Sequence, residues 1–283
     1  MHLGFVSLNT TRDITPDVLA PELEARGFES IWVGEHPQIP LAAKDHFPGG
    51  LLGAQKRIRD PFLSLLAATQ ATTALRIGTA VALPLERELF TFAKEVATLD
   101  QFSGGRLRLG VGVGMRAELE VSSRVAWPDR YRALSDMVAA LRVLWADDEA
   151  EHHGEFYDFD PVWSYPKPHQ RPHPPVLVAA TGPIATRDCA AWADGWLPGD
   201  AALRDVAGAL AEFRRTAEEA GRDPAALDLT IMAWGDPSAK RLATYRDLGF
   251  HRVVVGGGRR ESGDPSTTLP FLDRYAAMVG ELR

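Results

Sequence analysis

The residue best placed for proton chemistry in this sequence is His36, one of eight histidines. It follows the short apolar run Ser30-Ile31-Trp32-Val33-Gly34, which predicts a buried strand. An imidazole accepts or donates a proton near neutral pH, so His36 is a candidate general acid or base. The adjacent Glu35 is a second candidate for that role. A structural histidine is the competing interpretation.

Two glycine-containing segments are candidates for holding a phosphate group. Thr181-Gly182-Pro183 joins an apolar run to a helix-like segment, where glycine permits close backbone approach and a helix N-terminus presents free N–H groups. The other is Gly110-Val111-Gly112-Val113-Gly114, which departs from the dinucleotide fingerprint because Met115 stands where the third glycine is needed. For Thr181–Pro183 the alternative is an ordinary strand-to-helix turn. For Gly110–Gly114 it is a strand whose small residues face a crowded barrel interior.

Other reaction classes find little support in the sequence. Metal-dependent hydrolysis needs several His, Asp or Glu residues converging from different strand ends, and none are visible, so we expect no metal site. A Schiff-base enzyme needs a buried lysine at a strand end, whereas the five lysines fall in predicted loops or helices. The single cysteine, Cys189, lies within a predicted helix. A protein with so few reactive side chains is expected to rely on a bound cofactor.

The order of predicted elements indicates how these residues are brought together. Eight apolar runs alternate with segments in which apolar residues recur three or four positions apart. The runs are Leu3–Leu8, Ser30–Gly34, Arg76–Leu83, Arg106–Val113, Pro175–Ala180, Asp194–Pro198, Leu227–Trp234 and His251–Val255. Such alternation predicts parallel crossover units, and eight units predict one α/β domain over residues 1–283, a (β/α)8 or TIM barrel. An open doubly wound sheet is the alternative.

A barrel would place the candidate residues at one end, because barrel enzymes carry their sites at the carboxyl ends of the strands. His36 and both glycine segments follow or end predicted strands, whereas His2 and His251 begin them. The irregular segment 35–59, which is rich in proline and glycine, is predicted to be a lid over the site. A small hairpin is predicted at Glu155–Phe159.

Composition argues against several other classes of protein. A net charge of −7 disfavours nucleic-acid binding, which requires clustered basic residues. No run of about 18 apolar residues predicts a membrane span. The first residues, Met1-His2-Leu3-Gly4, do not have the pattern of a secretory signal. Together with the single cysteine, these features favour a cytoplasmic protein that acts on a small molecule.

Several segments, in order along the chain, resemble the bacterial-luciferase-like superfamily and more closely its F420-dependent (deazaflavin) oxidoreductase branch. They are Ile31–His36, Arg76–Pro84, Ala93–Asp100, Ser103–Arg106, Leu109–Gly114 and Ala193–Pro198. The resemblance covers nearly the whole chain and implies a (β/α)8 barrel, in agreement with the count of elements. It implies an enzyme that moves a hydride between F420 and a small organic substrate. An FMN-dependent monooxygenase of the same fold and a non-catalytic flavin- or deazaflavin-binding barrel are the alternatives.

The resemblance also implies roles for individual residues. Many members have a non-prolyl cis peptide against the flavin ring at the position of Ala80-Val81, and His36 would face the reactive ring atom. Cofactor contacts are implied for Thr79, Ala80, Val81, Gly112, Gly114 and Met115, and phosphate contacts for Thr181, Gly182 and Pro183. Met115 stands where the sugar-phosphate-oxidising branch has an acidic residue, so no equivalent acid is implied here. A homodimer is a further expectation, since relatives often dimerise.

Overall fold

The computed structural model describes residues 1–47, 51–257 and 263–282. Within these ranges the strands are β1 (His2–Ser7), β2 (Ser30–Val33), β3 (Arg76–Thr79), β4 (Leu107–Val111), β5 (Ala150–His153), β6 (Asp158–Val162), β7 (Val176–Val178), β8 (Gly195–Trp196), β9 (Asp228–Trp234) and β10 (Arg252–Gly257). All except β5 and β6 close into a barrel in the order β1-β10-β9-β8-β7-β4-β3-β2, and every neighbouring pair is parallel. The predicted (β/α)8 barrel is confirmed, and the open-sheet alternative is wrong.

Helices follow the barrel strands along the chain. They are α1 (Pro16–Ala25), α2 (Leu51–Gln55), α3 (Pro61–Gln70), α4 (Leu89–Phe102), α5 (Arg116–Ser122), α6 (Arg130–Ala146), α7 (Pro183–Ala190), α8 (Val206–Glu219), α9 (Ala239–Asp247), α10 (Pro265–Ala276) and α11 (Val279–Leu282). Asp60 accepts a hydrogen bond from the Leu63 N–H at the start of α3, and Pro61 occupies the first turn, where its missing N–H is not needed. None of the helices in the described ranges has the length and apolar character needed to cross a membrane.

The predicted hairpin lies in a wider stretch than the sequence suggested. Its strands are β5 and β6, which pair antiparallel, and the predicted segment Glu155–Phe159 supplies the turn and the first residues of β6. The turn is held by the carboxylate of Asp136 on α6, which accepts hydrogen bonds from the backbone N–H groups of Phe156 and Tyr157. This long-range contact has no signature in the local pattern.

The third barrel strand ends earlier than the sequence predicted. β3 stops at Thr79, and the Ala80 N–H still bonds to Val33 on β2. Pairing resumes at Ala82, whose N–H donates to the Gly110 carbonyl on β4. Val81 is therefore left out of the ladder between these two contacts. The peptide bond between Ala80 and Val81 is cis, as the resemblance implies.

The amino end of the barrel is closed by buried charges and one large ring. Arg252, at the start of β10, pairs with Glu29 before β2 and with Asp228 at the start of β9. Above them Trp32 is fully buried, and a Cβ placed on Gly78 would stand 2.4 Å from a carbon of its ring. Tight packing at this level leaves the carboxyl end of the barrel as the place where a ligand can enter.

Candidate functional site

A cavity of about 200 Å³ lies at the carboxyl ends of the barrel strands. Its lining comes from the ends of β1, β2, β9 and β10, from the segments after β3 and β4, and from the segment 35–59. The residues are Val6, Ser7, Leu8, Gly34, Glu35, His36, Gln55, Ile58, Ala80, Val81, Leu83, Gly114, Met232, Trp234 and Gly256. Contrary to the sequence prediction, the segment 35–59 is not irregular throughout, because it contains a 3-10 helix at Leu41–His46 as well as α2. The lining is mainly apolar, so the few polar groups in it set the orientation of a ligand.

The cavity rests on a compact apolar floor. The floor consists of four buried residues, Trp32, Leu177, Leu197 and Val254. Four residues of the cavity lining pack against it: Val6, Ala80, Val81 and Met232. Close packing of this kind holds side chains in fixed positions, so the shape of the cavity is largely set by the barrel itself.

His36 projects from the end of β2 into this cavity, and its side chain is 17% exposed. The Nδ1 atom of His36 lies 2.8 Å from Oε1 of Glu118, a carboxylate that is fully buried. The ring of Phe47 packs edge-on against the imidazole with their centroids 5.8 Å apart. The structure therefore places the predicted candidate in the lining of this cavity, with Nδ1 at hydrogen-bond distance from Glu118.

Glu118 is a residue that sequence reasoning missed. It stands in the first turn of α5, three residues after Met115, and its carboxylate contacts His36 directly. Its backbone carbonyl accepts hydrogen bonds from Gln38 Nε2 and from Ser122 Oγ, and these hold the turn in place. A usable signal was present, because an acidic residue early in the helix after a barrel strand stands at the functional end of the fold.

Glu35, the second predicted catalytic residue, is committed to other partners. Its Oε2 accepts the N–H of Leu83, and its Oε1 accepts Nε of Arg87, both at 2.8 Å. Burial raises the pKa of Glu35, and the hydrogen bonds and charge of Arg87 oppose that rise. Arg87 also pairs with Asp60 and Glu95. These contacts tie the end of β2 to the segment after β3 and favour a structural role for Glu35.

The predicted ring-contacting residues divide into two groups. Ala80, Val81 and Gly114 line the cavity. Thr79 lies beneath it, where its hydroxyl donates to the Gly110 carbonyl at 2.7 Å. A Cβ on Gly112 would stand 2.7 Å from Val81 Cγ2, so this glycine makes room for a neighbouring side chain, as the crowded-interior interpretation holds. Met115 precedes α5 and is outside the cavity lining.

The predicted phosphate-binding turn stands at the same end of the barrel, after β7, because all eight strands run in one direction. Gly182 has φ +96° and immediately precedes α7, whose first residue is Pro183. Both are exposed, and Thr181 is half-buried. None of the three lines the cavity. A ligand that touches both places must extend along the rim.

The cavity is small, and glycine backbone forms part of its edge. Gly34 and Gly114 bring bare backbone to its edge, and a Cβ on Gly114 would stand 3.0 Å from Glu86 Oε1. The cavity of about 200 Å³ is smaller than most ligand pockets, which measure about 300–1,000 Å³. In the described part of the chain no cluster of three or more His, Cys, Asp or Glu residues is arranged to hold a metal ion.

Comparison with known proteins supplies an independent finding. A family model described as luciferase-like monooxygenase matches residues 18–264. An uncharacterized protein of Mycobacterium tuberculosis H37Rv is 36% identical over 99% of both chains. An F420-dependent hydroxymycolic acid dehydrogenase of the same organism is 28% identical over 79% of this chain and 60% of that protein.

Two solved structures share the fold at low sequence identity. The monooxygenase RslO1 from Streptomyces bottropensis superposes with a TM-score of 0.78 at 19% identity, covering 99% of both chains. An F420-dependent secondary alcohol dehydrogenase, solved with an F420–acetone adduct, gives a TM-score of 0.76 at 19% identity and covers 100% of this chain and 99% of that one. At this identity the likeness concerns the barrel.

Proposed function

The chain belongs to the luciferase-like monooxygenase family and is an oxidoreductase of that family, and on this premise we propose that it is an F420-dependent dehydrogenase. Its reaction would be hydride transfer between F420 and a small organic substrate that alternates between a hydroxyl and a carbonyl form. The observation that carries the proposal is the position of His36, which lines an apolar cavity at the carboxyl end of the barrel. The F420-dependent dehydrogenase that is 28% identical supports the choice of cofactor.

The residues around the cavity fit a deazaflavin ring. Val6, Val81 and Met232 offer apolar surface, and Trp234 stands at the mouth. When bound, F420 supplies the hydride chemistry that no side chain can provide. The apolar lining excludes water and orients the substrate, while His36 accepts the hydroxyl proton during oxidation and returns it during reduction.

The segment 35–59 is proposed to cover the bound ring. Gln55 and Ile58 from this segment already line the cavity, and a backbone hydrogen bond from Arg59 N–H to the Asn9 carbonyl anchors its end beside β1. Residues 48–50 of the proposed lid lie outside the described residues.

We expect Gly182→Val to weaken F420 binding at least tenfold. The side chain would stand where a phosphate approaches the backbone, and a φ of +96° is strained for any residue with a Cβ. Gly221→Val is the matched control, because Gly221 has φ +78° and follows α8 at the other end of the barrel. A Cβ on Gly221, as on Gly182, would have no heavy atom of the described residues within 4 Å. Fluorescence titration measures both dissociation constants. Equal affinities in the two variants would remove the Thr181–Pro183 turn from the site.

The test of the proposed function is a titration of purified protein with F420 and, separately, with FMN. We expect saturable binding of F420, followed by its reduction when hydroxyl compounds are added, observed as loss of the deazaflavin absorbance. Tight FMN binding with oxygen consumption, and no turnover with F420, would replace the proposal by the FMN-dependent monooxygenase. Mass spectrometry of the cofactor that stays bound identifies it in either case.

A further inference from the structure

We propose that Glu118 is a positioning residue that holds His36 in one tautomer, with the proton on Nδ1, and so leaves Nε2 as the atom that accepts a proton in the cavity. The consequence for turnover rests on the proposed function. The assignment of the tautomer does not, because it follows from the contacts of the two side chains alone.

The hydrogen bond between the two residues sets the position of the proton. Glu118 Oε1 lies 2.8 Å from His36 Nδ1, and an ionised carboxylate can only accept. A neutral imidazole that donates from Nδ1 carries its lone pair on Nε2. Since Glu118 occupies Nδ1 and His36 lines the cavity, Nε2 is the nitrogen left to meet a substrate.

The surroundings of Glu118 indicate that its carboxylate is present for His36 and not for the fold. Its side chain is fully buried, and within the described residues Oε2 has no hydrogen-bond partner. The nearby contacts of Gln38 and Ser122 are made to the backbone carbonyl of Glu118, not to its carboxylate. A buried carboxylate with one oxygen unpartnered among the described residues costs stability, so packing does not explain its presence.

Two further acids, Glu86 and Glu35, stand near Glu118. Burial raises the pKa of Glu86, and the charges of Glu118 and Glu35 raise it further. Glu35 is held by Arg87, whose guanidinium compensates its charge.

The arrangement explains how His36 would work in oxidation. The substrate O–H bond breaks and its proton joins His36 Nε2, while the electron pair of the C–H bond leaves with the hydride to the cofactor and the C=O bond forms. His36 becomes a cation, and the charge of Glu118, at hydrogen-bond distance, stabilises it. Glu118 does not line the cavity, so it acts through His36.

The test is a pH titration of the full chain without cofactor, followed by nitrogen-15 histidine NMR. The tautomer is identified from the spectrum at a pH where this titration shows the His36 ring to be neutral. The His36 signals are assigned by their loss in His36→Gln. We expect the pattern of a ring protonated on Nδ1 in the wild-type protein. A ring protonated on Nε2 in the wild type would overturn the proposal without bearing on the choice of cofactor.

Variants extend the test to function. Glu118→Gln keeps the size of the side chain but can offer its amide N–H to Nδ1, so we expect the tautomer to shift toward protonation on Nε2. Turnover with F420 should fall at least tenfold while the dissociation constant of F420 changes less than twofold. Glu120→Gln is the matched control on the same helix, because Glu120 is exposed and pairs with Arg116. If Glu118→Gln changed neither the tautomer nor the turnover, the proposal would be overturned. If the wild-type ring were protonated on Nδ1 but the protein showed no turnover with F420, that result would count against the proposed function alone.

Discussion

Replacing His36 with alanine is expected to lower F420-dependent turnover at least a hundredfold while changing the free energy of unfolding by about 1 kcal/mol or less. A positioned acid or base contributes about 10²- to 10⁴-fold to a rate, and His36 is the imidazole that lines the cavity. Among the described residues, its ring makes one hydrogen bond, to Glu118, and one edge contact, to Phe47. Removal of the ring opens Glu118 to water from the cavity, which limits the cost of leaving that carboxylate unpaired.

The measurements are steady-state kinetics and urea unfolding on the same preparations. His153→Ala is the control, since His153 is exposed and pairs with Asp158 on the neighbouring strand β6. The control should keep both turnover and stability. If His36→Ala instead unfolded at much lower urea concentration and kept its turnover, His36 would be a structural residue and the proposed chemistry would need another proton acceptor.

The second large effect is expected at the opposite end of the barrel, where Arg252→Ala should lower the free energy of unfolding by about 3–5 kcal/mol. The guanidinium of Arg252 is almost fully buried and bonds to both carboxylate oxygens of Glu29, to Asp228 and to the hydroxyl of Thr230. Truncation leaves Glu29 and Asp228 partly buried without their main counter-charge. Arg76 remains 3.1 Å from Glu29, and Arg108 remains 3.4 Å from Asp228. These contacts compensate the two carboxylate charges only in part.

Urea unfolding at neutral pH measures this effect, with Arg215→Ala as the control. Arg215 is exposed on α8 and pairs with Glu212 and Glu219, so its loss should change the free energy of unfolding by about 0.5 kcal/mol or less. A loss below about 1 kcal/mol for Arg252→Ala would mean that the desolvation of these charges cancels their attraction. The cavity at the far end of the barrel should keep its affinity for F420 in the folded fraction of both variants.

Local pattern determined much of the architecture in advance. Each of the eight predicted apolar runs overlaps a barrel strand, because parallel strands covered on both faces need nearly continuous apolar sequence. The start of α3 at Asp60-Pro61 followed from capping chemistry that acts within a few residues. The predicted end of β3, Leu83, lies four residues beyond the observed end at Thr79. The difference arises because Val81 is left out of the ladder, and the resumption of pairing at Ala82 depends on β4.

The sequence by itself therefore determined the barrel, and with it the end of the molecule where His36 and the Thr181–Pro183 turn stand. Only the tertiary structure decided which side chains meet. His36 and Glu118 are 82 residues apart, Glu35 turns to an arginine 52 residues away, and Gly112 serves the packing of Val81. Strands and helices form from interactions between near neighbours in sequence, whereas these pairings arise from barrel closure, which joins segments that no local pattern connects.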